Sequence, residues 1–280
     1  MNDTTRVCRI DFTQPHRPVQ IFHIQLKERP MSQPVSRDFV MMLALPDSGP
    51  AFESAVTEIA YSDQREAVAV GAQIAEFGPT VTPELRAAVA DSLLLAQLAA
   101  NKAAGDQGDV IAWYRKYVEV LQGVGWLVHD MEFQSQELAQ IDGDMHTAII
   151  PVITAMLGPA AAAASVVIAV LKGLQEMDKD NPWITVFDRA SQHASGAKFQ
   201  LGFVDADAQG NPEIKLMALA IDAQRSVTQV LFFKFSDQST TLRRAESTLK
   251  SQRARLDSIK GAVSQRVQPF LTDYISKIEI

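Results

Sequence analysis

Between Ala148 and Leu171 the chain runs for 24 residues without a charged side chain. No other feature constrains the fold so strongly, because such a run must be buried in a core or placed against lipid. At about 1.5 Å rise per residue, a continuous helix of this length would cross a bilayer core of about 30 Å. Three features work against one straight spanning helix. Pro151 and the Gly158–Pro159 pair interrupt it, and the residue before a proline avoids the α conformation. Much of the run is alanine, notably Ala160–Ala164, which gains little transfer energy compared with leucine or isoleucine. The flanks carry no aromatic belt. Two short helices meeting at Gly158–Pro159 are therefore expected, either as central core elements or as a sheltered segment that is released and inserts into a membrane. A constitutive anchor is disfavoured by the well-patterned polar segments on both sides. The side chains that would enter lipid are Ile149, Ile150, Val152, Ile153, Met156, Leu157, Val166, Val167, Ile168, Val170 and Leu171.

Upstream, Pro15, Pro18, Pro30, Pro34, Pro46 and Pro50 punctuate residues 1–50. This density forbids a long helix. Val19–Leu26 reads as a short strand and Val7–Phe12 as a weaker one, in an arm that needs something to pack on. Phe52–Phe77 is rich in Ala, Glu, Val and Gln and reads as helical, broken only at Gly71. Thr82–Pro83–Glu84 is a helix start, with a cap, a proline at the first position and an acid that complements the dipole. That helix runs to about Ala100. Asp109 caps a second one over Val110–Gln122. Trp126–Phe133 reads equally as a strand or a last helical turn. Asn181–Pro182 opens a short helix to Ser191.

After Ser195–Gly196 the periodicity changes. Lys198–Asp205, Glu213–Ile221 and Val227–Ser236 read as three strands of an antiparallel meander, with strong turn chemistry at Asp207–Pro212. Ser239 to about Gln268 reads as one long polar helix, because Leu242, Leu249, Leu256, Val263 and Phe270 recur every seven residues. The expected fold is therefore α+β and mainly helical. It has a Pro-rich arm over 1–50, a helical bundle over 51–195 and a small three-stranded sheet backed by a long C-terminal helix over 196–280.

Composition narrows the function classes. Hydrophobic residues make up 47% and charged residues 21%, which suits a globular chain rather than a disordered one. A net charge of −7 argues against a dedicated nucleic-acid binder. Residues 239–280 nevertheless hold eight basic against four acidic side chains. Arg243, Arg244, Lys250, Arg253, Arg255 and Lys260 form the candidate basic surface, which would meet an anionic membrane or an acidic face of the same protein. The single cysteine, Cys8, excludes an internal disulfide framework. The polar start of the chain has no signal-peptide pattern, so synthesis in the cytoplasm is expected, with any release by a signal-independent route.

Chemistry-bearing motifs are sparse. The five histidines lack the paired spacing of a zinc helix, and no nucleophile elbow, phosphate loop or dinucleotide fingerprint occurs. Asp142, Asp144 and His146 alternate, but a solvated turn with Asp144 as a helix cap explains them more simply. Asp205, Asp207, Gln209 and Gly210 resemble the start of a calcium loop, yet its twelfth position is Leu216, and a hairpin turn suffices. No metal, cofactor or catalytic residue is nominated. Two functions are carried forward. One is a non-enzymatic membrane-active protein of the pore-forming or toxin type, soluble before insertion and associating with lipid or as a homo-oligomer. The other is a soluble scaffold whose C-terminal helix docks a protein partner.

Overall fold

The computed structural model describes residues 21–24, 35–47, 59–105, 109–129, 131–137, 144–193, 196–223, 227–234 and 240–278. In chain order these form β1 (Ile21–Ile24), α1 (Arg37–Met42), β2 (Glu66–Val70), β3 (Gln73–Phe77), α2 (Pro83–Ala104), α3 (Val110–Gly123), β4 (Leu127–Val128), β5 (Met131–Glu137) and α4 (Met145–Leu157). There follow α5 (Pro159–Ala163), α6 (Val166–Gly173), α7 (Pro182–Ser191), β6 (Gln192–His193), β7 (Gly196–Ala206), β8 (Pro212–Asp222), β9 (Thr241–Lys250), α8 (Arg253–Val267), α9 (Leu271–Tyr274) and β10 (Ile275–Ile278).

The organising element is one large mixed sheet in the order β1-β5-β9-β8-β7-β3-β2-β10, with β4 paired to β9 and β6 to β7. Every pairing is antiparallel except β3 with β7. This corrects the expected helical bundle with a small sheet. The chain is α+β, but a broad sheet with helices on both faces organises it.

Two segments account for the difference. Of Phe52–Phe77, residues 66–77 form a β-hairpin turning at Gly71 and Ala72, where Gly71 takes a positive φ of 54°. Gln97 of α2 fixes that turn: its Oε1 accepts from the Ala72 N–H at 2.9 Å and its Nε2 donates to the Val70 carbonyl at 2.8 Å. The first third of the expected long C-terminal helix is strand β9, paired to β8 over ten residues. Its seven-residue spacing has a different meaning in a strand. An odd separation places two residues on opposite faces, and Leu242 and Leu249 indeed enter the hydrophobic clusters on opposite sides of the sheet. Leu256, Val263 and Phe270 do lie on helical turns of α8 and the segment after it, all buried.

The expected third strand at Val227–Ser236 is not one. Its described residues, 227–234, form bends and turns, and their one strand-like pairing is a bridge between Lys234 and Asp144. Val227, Val230, Leu231 and Phe233 are buried as an apolar plug. The plug's backbone polar groups are satisfied by helices instead of a sheet: the Leu231 and Phe233 carbonyls accept from the His146 and Met145 N–H groups at 3.0 and 2.9 Å.

Other expectations hold. α2 and α3 begin at the expected residues; Thr82 makes no side-chain capping bond, whereas the Asp109 carboxylate accepts from the Ile111 and Ala112 N–H groups. α7 starts at Asn181–Pro182, with the Asn181 side chain accepting from the Trp183 N–H. β7 and β8 pair over eleven residues. Asp207 organises their turn, its Oδ1 accepting from the Gln209 and Asn211 N–H groups at 2.9 and 2.8 Å. Trp126–Phe133 resolves into β4 and the start of β5. The arm contributes β1, which pairs with β5 at one edge of the sheet, while β10 pairs with β2 at the other. Val7–Phe12 lies outside the described residues.

Two cores follow from this arrangement. On one face α2, α3 and α8 pack over β2, β3, β5 and β8. On the other, α4, α6, α7 and the 227–233 plug cover Phe199, Leu201, Met217, Leu219 and Leu242.

Candidate functional site

The uncharged run lies wholly within the second layer. Three short helices carry it, and each break has a local cause. α4 ends at Gly158, whose φ of 80° and ψ of 159° belong to a region open essentially to glycine alone. Pro159 then occupies the first position of α5. A second break falls at Ala164–Ser165, where the Ser165 hydroxyl accepts from the Ile168 N–H and caps α6. The sequence placed the first break and missed the second. Pro151 sits inside α4 without ending it.

Only part of the run reaches the core. Ile149, Ile153, Val167, Ile168, Val170 and Leu171 are buried. Ile150, Val152, Met156, Leu157 and Val166 are half-buried and pack at the edge of the same cluster. Pro151, Ala155, Pro159, Ala160, Ala161, Ala163, Ala164 and Ala169 are exposed. The segment is therefore a one-sided layer with an uncharged outer surface of small residues. Among the described residues, no helix is long and apolar enough to cross a membrane. α4, with 13 residues, spans about 20 Å.

Among the described residues, polar side chains hold this layer down at two points. At the start of α4, His146 is buried and its Nδ1 donates to the Leu231 carbonyl at 2.9 Å. The plug that carries Leu231 is tied in turn to α7, where Asp188 Oδ1 accepts from the Val230 N–H at 2.9 Å. Burial pushes the Asp188 carboxyl up to about 6, against the opposing effect of that bond.

At the start of α6, Glu76 of β3 is 1% exposed. Its Oε2 accepts from Ser165 Oγ at 2.7 Å and from the Val167 N–H at 2.9 Å. Its Oε1 is paired with Arg65 Nη1 at 2.9 Å. The carboxylate also faces the N-terminal end of the α6 dipole, which favours negative charge there. Read with a helical period, Phe52–Phe77 gives Glu76 no distinct place; it lies on strand β3. In period two, Ile74 and Glu76 share a face, and a carboxylate on an apolar strand face signals a buried partner.

The six basic candidates sit on two elements. Arg243, Arg244 and Lys250 lie on β9, and Arg253, Arg255 and Lys260 on α8. Arg243 meets Asp222 at 3.7 Å, Lys250 meets Glu213 at 2.9 Å and Arg253 meets Asp257 at 3.1 Å. Lys260 reaches the same Asp257 at 4.0 Å. Arg255 is half-buried beside Gly125, and Arg244 stands in register with Leu219 and Gln134. Acidic neighbours of the same chain thus face four of the six.

Of the alternating triad, Asp144 stands at the N-cap position of α4 but its side chain makes no capping bond, and His146 is turned inward, while Asp142 lies outside the described residues, as do Cys8 and His16. No group of three metal-ligating side chains occurs among the described residues. A polar cleft of about 390 Å³ lies beside the end of α4, lined by His129, Met156, Lys215, Glu246, Ser247 and Thr248.

No family model matches the chain, and no curated protein matches it. Among solved structures it is similar to a delta-endotoxin, with 15% identity, a TM-score of 0.35, and 75% of this chain and 95% of that one covered. It is also similar to the activated Cyt2Ba monomer from Bacillus thuringiensis subsp. israelensis, with 14% identity, a TM-score of 0.30, and 64% of this chain and 97% of that one covered. Both likenesses are weak.

Proposed function

We propose that the protein is a non-enzymatic, membrane-active protein of the toxin type. It is soluble before insertion, and its inserting part is the α4–α6 layer. One observation carries this reading. The uncharged segment is an outer layer broken at Gly158–Pro159 and Ser165, with an uncharged exposed side, rather than a central core helix. A layer of this kind can leave one sheet face while the α2–α3–α8 core stays intact. Released, it would lie in the membrane interface or straighten into a longer helix. The small residues Ala160–Ala164 and Ser165 would let copies pack closely as a homo-oligomer.

The test is release of a self-quenching dye from phosphatidylcholine vesicles, at neutral and acid pH, read together with limited proteolysis with and without lipid. Leakage is expected, with new cleavage between α4 and α6 when lipid is present. Ala160→Asp and Ala163→Asp lie at exposed positions, so they leave the fold intact and abolish leakage. Absence of vesicle association under every condition sinks the reading.

A soluble partner-binding module is the second reading, favoured by a different observation. Met42 is 84% exposed and Met41 38%. Met41 adjoins a cleft of about 270 Å³ that also takes in Leu45, Pro46 and Phe270. This reading predicts a stable complex or oligomer in light scattering, with no effect on vesicles.

A further inference from the structure

We infer that Glu76, braced by Arg65, is the catch that keeps the apolar segment on the sheet. Its function as a release point rests on the membrane reading; its mechanical role does not. The uncharged run has few polar attachments. Apolar contacts made by Ile149, Ile153 and the α6 side chains are non-directional, so a helix can slide or lift by degrees. The Glu76 contacts are directional and charge-assisted.

Two bonds from the start of α6 converge on one carboxylate oxygen, while the other oxygen is held by a guanidinium that is itself a third exposed. The catch is therefore buried on the side of the segment and open to solvent on the side of its brace. Once Ser165 and Val167 let go, the Val167 N–H loses its acceptor. The chain before them, α5, has Ala162 as its one buried side chain. Gly158 lies just beyond, with nothing within 4 Å of where a side chain would begin. Opening thus starts at Ser165 and runs back through α5 to α4, with His146 as the last attachment.

Hydrogen–deuterium exchange on the full chain tests this. Arg65→Gln touches nothing in the segment and alters only the brace. It is expected to speed exchange at the Val167 and Ile168 amides about threefold. Glu76→Gln, which removes the charge, is expected to do so about tenfold or more, with the increase confined to 159–171. If Glu76→Gln does not fold, the Arg65→Gln result decides alone. Unchanged rates in the folded variants, or an increase spread equally over α2 and α3, overturn the proposal. Dye release from phosphatidylcholine vesicles is measured on the same samples and separates the two ideas. Faster local exchange without leakage refutes the membrane reading and leaves the catch standing. Faster exchange with leakage at a lower protein concentration supports both.

Discussion

The two helical layers cover opposite faces of one sheet by different means. The α2–α3 layer uses two long helices of 22 and 14 residues and pins itself with buried polar groups. The Tyr114 hydroxyl reaches the Phe199 and Leu219 carbonyls at 2.9 and 3.0 Å and accepts from Gln200 Nε2. Tyr117 donates to Gln73 Oε1, and Trp113 stacks on Tyr117 with ring centroids 5.3 Å apart. The fully buried Arg86 donates to the Val81, Gln64 and Gly78 carbonyls and pairs with Glu66 at 2.7 Å. The α4–α6 layer uses short aliphatic and alanine-rich helices, with few polar attachments and no aromatic residue between Ala148 and Leu171. Aromatic packing combined with directional bonds specifies one geometry, whereas aliphatic packing alone fills space and tolerates displacement. The α2–α3 layer is thus fixed by directional contacts that α4–α6 has fewer of, although α7 beside it adds Trp183 and Phe187 to the same core.

The contrast can be broken by mutation. The largest effect is expected from Arg86→Met, which takes the buried cation from Glu66 and a donor from three carbonyls and should cost about 3–5 kcal/mol in urea unfolding. Matched truncations of fully buried residues come next. Leu93→Ala in α2 should cost about 3–4 kcal/mol, and Ile153→Ala in α4 about 1–2 kcal/mol less, because a short one-sided helix settles into the vacated space. Equal costs would erase the distinction between the layers.

Acid sharpens the comparison because, among the described residues, each side of the sheet has one carboxyl raised to about 6, mainly by burial: Asp91 on α2, and Asp188 on α7 beside the α4–α6 layer. A carboxyl held above its unfolded value of 3.8 binds its proton more tightly in the folded state. Stability should therefore rise as pH falls from 7 through 6 and level off near 4, the opposite of acid unfolding. Asp188→Asn keeps an acceptor for the Val230 N–H and removes the charge. It is expected to add about 1–3 kcal/mol at pH 7.5 and to flatten the pH dependence of the urea midpoint. The smallest effect on stability belongs to Ala163→Asp, expected within about 0.5 kcal/mol because the site is exposed. A larger loss would mean that the outer surface of the segment is covered after all.

Legibility in the sequence followed the range of the signal. Caps and breakers act within one turn of chain. They placed the starts of α2, α3 and α7 nearly to the residue, while α2 runs on to Ala104, and they placed the Asp207 turn between β7 and β8 and the corner at Gly158–Pro159. The β9 stretch, with Leu, Arg, Ala, Glu and Lys, is made of good helix formers, and intrinsic propensity yields to pairing when a strand lies between two others. Val227–Phe233 has the apolar content of a strand, but it is consumed as a plug. For the candidate site, the apolar residues were readable from composition. Glu76 was not, because its role depends on Ser165, 89 residues away.

By itself, the sequence determined that an uncharged segment would exist, that it would break at Gly158, and that charge would be excluded from it. These are properties of local backbone geometry and side-chain solvation. Only the tertiary structure decided that the segment would be an outer layer with one wet face, and that a buried carboxylate from a distant strand would hold it. Which face is covered, and by what, depends on sheet order and register, and those arise from pairings between residues far apart in the chain.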